Sequence, residues 1–141
     1  MLVKRLYNNA IIPEFKSKGA AALDLYSIED ITILSGETVI IKTGIAVAIE
    51  PTSFGLIRDR SSIAKRGIFV VGGVIDSDYR GEIGVMLHNS ANSFENCPFY
   101  ISSGDRIAQM IILPYAKPEI IEVDELPESE RGTGGYGSTG K

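Results

Sequence analysis

The sequence predicts an all-β fold: a single-domain, jelly-roll-like β-sandwich or barrel with one short helix and a flexible, Gly-rich C-terminal arm. Three observations carry that expectation. The chain has 141 residues, the length of one compact domain. Short β-branched and apolar runs recur between Gly, Pro, Asn and Ser turns, with almost no sustained helical periodicity. The composition then changes at the end, where five of the 15 glycines fall within residues 132–141, behind the acidic stretch 122–130. Such a tail buries no core of its own, so the expected division is a β-rich core at 1–123 and an arm at 124–141.

Residues 38–43 form a β-rich run that Gly44 breaks; 45–49 follow, and Pro51-Thr52-Ser53 makes the next turn. Runs 54–59, 68–71, 82–89, 98–101 and 106–113 read the same way, and strands at this spacing predict a sandwich, barrel or jelly roll. The helical segment is Ser61-Ser62-Ile63-Ala64-Lys65, where a Ser caps a turn that ends at Gly67. Gly72-Gly73, the β-branched pair after them and a polar turn suggest a β-hairpin with an open backbone edge.

Composition excludes several functions. Fourteen Lys and Arg against 18 Asp and Glu give a net charge of -4. No basic face for nucleic acid is expected, and a phosphate must be met by a few placed cations or a metal. The apolar stretch 68–75 stops at Asp76, too short to cross a bilayer, so no membrane partner is expected. Lys4 and Arg5 lead into Asn8 and Asn9 instead of an apolar run, which reads as no signal peptide. The expected location is cytoplasmic, or nuclear for a eukaryotic or viral source. Cys97 is the only cysteine, so no internal disulfide or Cys-based zinc site is expected, and it reads as a packing residue. His88, the only histidine, reads as a strand histidine, which leaves a carboxylate as the expected general base of any enzyme here.

Five stretches carry chemistry. Gly19-Ala20-Ala21-Ala22-Leu23-Asp24 places a carboxylate between leucines, where it is met by backbone amides or aimed at a cation. Arg58-Asp59-Arg60-Ser61-Ser62 joins a strand to a helical turn and suits phosphate, or else a surface ion pair of Asp59 with Arg58 or Lys65. Val74-Ile75-Asp76-Ser77-Asp78-Tyr79-Arg80-Gly81 follows the paired glycines, whose strand edge matches the donor and acceptor edge of a pyrimidine. Gln109 interrupts an apolar strand and needs a backbone or ligand partner. The tail Arg131-Gly132-Thr133-Gly134-Gly135-Tyr136-Gly137-Ser138-Thr139-Gly140 combines a guanidinium, open backbone, hydroxyls and an aromatic, the parts of a phosphate-wrapping loop, without the Lys and following helix of a P-loop.

In this order and at these spacings the five stretches resemble the motifs of the homotrimeric deoxyuridine triphosphate nucleotidohydrolases, the dUTPases, over residues 20–140. The resemblance implies hydrolysis of dUTP to dUMP and pyrophosphate with Mg2+, limiting uracil in DNA and supplying dUMP for dTMP synthesis. It implies that Asp76 activates the water and Tyr79 packs on the deoxyribose. Backbone of the arm at Val70, Gly73 and Val74 reads uracil. Arg60, Ser61, Ser62 and Gln109 meet phosphates, and Asp24 approaches magnesium through water. Arg131, Gly137, Ser138 and Thr139 close over the phosphates while Tyr136 stacks on the base. It also implies a homotrimer with sites shared between subunits. Two departures stand out: Ser62 replaces a common Gly, and Tyr136 a common Phe. Two other readings share parts of this pattern, a dCTP deaminase using Glu82 and Arg80, and a nucleotide-responsive regulatory protein.

Overall fold

The structure, a computed structural model, describes residues 1–91, 97–130 and 132–134. Its strands are β1 (Leu2–Arg5), β2 (Leu23–Tyr26), β3 (Ile31–Ile33), β4 (Thr38–Lys42), β5 (Ile45–Ala48), β6 (Ser53–Arg58), β7 (Ile68–Val70), β8 (Val74–Ile75), β9 (Gly84–Asn89), β10 (Phe99–Ile101) and β11 (Arg106–Pro114). The helix α1 is one turn, Ser61–Ala64, between β6 and β7. Every strand pairing is antiparallel. One sheet runs β2-β11-β6-β8, another β4-β9-β7, and the pairs β1-β5 and β3-β10 complete the jelly-roll β-sandwich.

Alternation explains which residues enter the core. In β9, Val85, Leu87 and Asn89 are buried while Met86 is exposed, the period-two pattern of a strand with one face inward. Ile57 of β6, Met110 of β11, Ile41 of β4 and Leu25 of β2 meet in the same cluster. Burying each such side chain contributes about 1.5–3 kcal/mol. The polar intruder Asn89 is satisfied, donating from Nδ2 to the carbonyls of Ile33 at 3.0 Å and Cys97 at 2.9 Å.

Four sequence expectations are corrected. The N-cap of α1 is Arg60 and makes no side-chain capping bond, so neither Ser61 nor Ser62 caps it, although the turn does end at Gly67, with φ 78°. The hairpin expected from Gly72-Gly73, the β-branched pair and the polar turn into the next strand is not formed, since β8 does not pair with β9. β7 pairs with β9 and β8 with β6, so the paired glycines carry the chain from one sheet to the other. Gly73 is required there: its φ is 102°, and a Cβ would lie 2.8 Å from the carbonyl oxygen of Ile57. Asp59 makes no ion pair with Arg58 or Lys65; its carboxylate accepts the Val70 N–H. Cys97 is exposed, not packed, and its N–H is donated to Ser35 Oγ at 2.9 Å.

Candidate active site

Asp24 is the junction of one half of the site. It sits mid-strand on β2, in register with Gln109 on β11, which is in turn in register with Arg58 on β6. Arg60, the N-cap of α1 two residues beyond β6, donates from Nε to Asp24 Oδ1 at 3.1 Å and from Nη1 to the Arg106 carbonyl at 2.9 Å. Arg106 donates from Nη1 to Asp24 Oδ2 at 3.0 Å. The cations awaited at Asp24 are therefore two guanidinium groups. Gln109 Nε2 donates to the Asp59 carbonyl at 2.7 Å, the backbone partner its strand position demands. These groups, with Lys16, Ala20, Ser61 and Ser62, line a depression of about 470 Å3. The hydroxyls of Ser61 and Ser62 project from an exposed turn, so a cationic floor with hydroxyl donors at its edge is in place, a surface suited to phosphate.

The other half lies where β8 leaves its sheet. The Asp76 carbonyl accepts the Tyr79 N–H at 3.2 Å, which closes the polar turn. The Tyr79 ring folds over Gly81, where a Cβ would come within 2.4 Å of Tyr79 Oη, and that hydroxyl donates to the Glu82 carbonyl at 3.0 Å. A cleft of about 290 Å3 results, lined by Ile40, Val74, Asp76, Tyr79, Glu82 and Met86. On its far side Asp76 and Val74 also line a cavity of about 560 Å3 with Phe54, Asp78, Tyr115 and Lys117. Asp76 is exposed, on the ridge between the two.

Neighbouring backbone is already committed. The Val70 N–H bonds the Asp59 carboxylate, Val71 N–H donates to Met86 O at 3.0 Å, and Gly73 O accepts from Ile57 N at 2.8 Å. Glu82 accepts the Gly44 N–H at 2.8 Å, and Arg80 donates to the carbonyls of Ser77 and Tyr79. The pair that the deaminase reading requires thus supports backbone.

The two halves do not meet within one chain. Asp76 continues from Ile75, opposite Gly55 on β6, whereas the Asp24 row crosses β6 at Arg58. That separation is about 13 Å along the strand direction, before the three strand spacings from β8 to β2 across the sheet are added. The phosphate-side depression and the two Asp76 cavities share no lining residue. Arg131, Tyr136, Gly137, Ser138 and Thr139 lie outside the described residues.

Sequence reasoning missed four residues. Arg106 reaches Asp24 only through the β2-β11 pairing, and Asp59 reaches Val70 across the turn that α1 makes. Lys16 lies in a loop and Lys117 beyond the last strand, so no period or motif marks either. Lys117 Nζ lies 5.2 Å from the Tyr115 ring centroid, and that ring meets Phe54 edge-on at 5.8 Å. The Tyr115 side chain first, then the Asp78 and Asp76 carboxylates, raise the Lys117 ammonium above its usual range.

The dUTPase family model matches residues 8–140. The chain belongs to the dUTPase family. A deoxyuridine 5'-triphosphate nucleotidohydrolase of Nautilia profundicola is 50% identical over 142 residues, covering 99% of this chain and 97% of that protein. One from cowpox virus is 46% identical over 133 residues, covering 94% and 88%. Among solved dUTPases, that of Staphylococcus bacteriophage 80alpha with dUPNHPP superposes at a TM-score of 0.90, with 31% identity, covering 99% of this chain and 98% of that one. A dUTPase from phage phi11 of S. aureus, described with a structural Mg(II) ion, superposes at 0.83 with 28% identity, covering 88% and 96%.

Proposed function

We propose that this chain is a dUTP diphosphatase that acts as a homotrimer with shared sites, and that Asp76 is its general base. The observation that carries this reading is Asp76 itself: an exposed carboxylate at the mouth of the Tyr79 cleft, in a chain whose dUTPase match spans residues 8–140. A water held by Asp76 attacks the α-phosphorus. A new O–P bond forms, the bond from the α-phosphorus to the α,β-bridging oxygen breaks, Asp76 takes the water's proton, and pyrophosphate leaves. General-base catalysis of this kind contributes roughly 10²- to 10⁴-fold. Tyr79 walls the deoxyribose, and the backbone of Gly73 and Val74 faces the base. Because the Val70 N–H is bonded to Asp59, Val70's part is to shape the arm.

Arg60, Ser61, Ser62 and Gln109 receive the phosphates. They lie too far from Asp76 in the same chain, so the reading requires a neighbouring copy, and cyclic threefold symmetry gives three equal sites. The arm at 124–141 then reaches a site with Arg131, Gly137, Ser138 and Thr139 on the phosphates and Tyr136 on the base, closing it when the triphosphate is present.

The donor set fits magnesium that arrives with its substrate. Among the described residues no three His, Cys, Asp or Glu side chains form a cage, and Asp24 is a single carboxylate whose two oxygens bond Arg60 and Arg106. Magnesium typically keeps several waters and takes one or two carboxylates plus substrate phosphates, so Asp24 would hold it through water. When bound, the ion neutralises phosphate charge and stabilises the leaving pyrophosphate.

Pyrophosphate release from dUTP, beside dTTP, dCTP and UTP, tests the activity. Rapid release from dUTP alone, lost in Asp76→Asn, is the expected result. Turnover that survives Asp76→Asn removes Asp76 from the chemistry, and ammonia release from dCTP would restore the deaminase reading.

A further inference from the structure

The phosphate-side depression has a third cation. Lys16 lines it with Asp24, Arg60, Ser61, Arg106 and Gln109. The two arginines are both fixed on Asp24, whereas Lys16 pairs outward with Glu14, the two side chains being 46% and 60% exposed. An ion pair that open to water is worth about 0–1 kcal/mol. A phosphate oxygen carries more charge and accepts a stronger charge-assisted bond, so the Glu14 pair yields to a phosphate placed in the depression.

The loop that carries Lys16 is tied to the site. The Asp24 N–H donates to the Glu14 carbonyl at 3.3 Å, and Ala20 N–H donates to Ser17 O at 3.1 Å. The strand that positions the Asp24 carboxylate thereby also positions Lys16 at the rim. Lys16 Nζ lies 5.7 Å from the centroid of the buried Tyr26 ring, so its stem runs along the wall behind Asp24. Glu14 first, then Tyr26, raise the Lys16 ammonium above 10.5, so it is a full cation at neutral pH.

We propose that Lys16 is a further phosphate-binding residue of this enzyme, exchanging Glu14 for the phosphates of dUTP beyond the first. This rests on the reading of the depression as the triphosphate's half of the site. Asp76 addresses the α-phosphorus from the other half, so the phosphates that extend into the depression are the distal ones.

The test is steady-state kinetics of the full-length protein with dUTP, with dUMP as a competitive inhibitor. Lys16→Met is expected to raise KM for dUTP about five- to tenfold, the scale of one exposed charge-assisted bond, while kcat and the inhibition constant of dUMP stay within about twofold. Glu14→Gln, which frees the ammonium, is expected to lower KM, and to do nothing in a Lys16→Met background. Arg60→Gln separates two failures. If it raises KM while Lys16→Met does not, the role of Lys16 is overturned and the depression still binds phosphate. If neither raises KM, the reading of the depression falls and the proposal with it. An equal loss of dUMP and dUTP affinity in Lys16→Met also overturns it, since a distal-phosphate contact leaves the monophosphate untouched.

Discussion

Asp24 is where residue chemistry is most concentrated. One carboxylate with a side chain only 12% exposed pairs with two guanidinium groups and fixes both, leaving one net positive charge. Removing it leaves Arg60 and Arg106 partly buried and uncompensated. Asp24→Ala is expected to cost about 2–3 kcal/mol of stability, below the range for a fully buried pair because Arg106 is partly in water; urea denaturation measures it. The two lysines supply a pH prediction. The pKa of Lys117 is raised above 10.5 in the fold, chiefly by Tyr115, and that of Lys16 chiefly by Glu14. A raised folded pKa means that their contributions are fully present below pH 10.5 and are lost as pH rises through the higher folded values. The melting-temperature gap between wild type and Lys117→Met should therefore be constant from about pH 6 to 9 and narrow only above about 10.5. A gap that changes near neutrality would contradict the assignment. At this scale the sequence shows what Asp24 and Gln109 need, because a carboxylate or amide among apolar neighbours demands a partner. It does not show which partner, since Arg106 and the Asp59 carbonyl are brought in by strand pairing.

The elements that shape the site are the irregular ones. β4, β5, β6, β7, β9, β10 and β11 were legible as β-branched runs between turns. The first three strands were not: β1 ends in Lys4 and Arg5 with little burial, β2 is interrupted by Asp24, and β3 is three residues long. β8 was legible as a strand after the paired glycines but not as a strand of the other sheet, because its partner β6 lies well back in the chain. That crossing depends on Gly73. A side chain there meets both an unfavourable φ and the Ile57 carbonyl, so Gly73→Ala is expected to destabilise by about 2–4 kcal/mol and to raise KM for dUTP. Asp59 braces the same region from the other side through the Val70 N–H. Asp59→Ala should cost about 1–3 kcal/mol, the penalty for leaving that amide without its partner, and thermal melting with kinetics on the same samples reads both effects.

At the scale of the whole molecule, the fold holds the two proposed halves of the site apart, Asp76 on one side and the Asp24–Arg60–Arg106 group on the other. The motifs made the parts legible, but their separation depends on how β8, β6, β11 and β2 lie side by side, which no motif spacing encodes. Apolar residues beyond β11 are strongly exposed, Ile120 at 94% and Leu126 at 85%, as expected of a segment that packs against another copy. Light scattering is expected to give the mass of three chains.

The most direct measurement mixes Asp76→Asn, which is inactive, with Arg60→Gln, which is impaired in phosphate binding, by refolding them together and assaying pyrophosphate release at dUTP far below the KM of Arg60→Gln. If each site takes Asp76 from one subunit and Arg60 from another, an equal mixture should regain roughly a quarter of wild-type activity, because one ordered pair in four then carries both native residues. Activity that never exceeds the sum of the separate variants would place both residues of a working site in one chain and contradict the shared-site account.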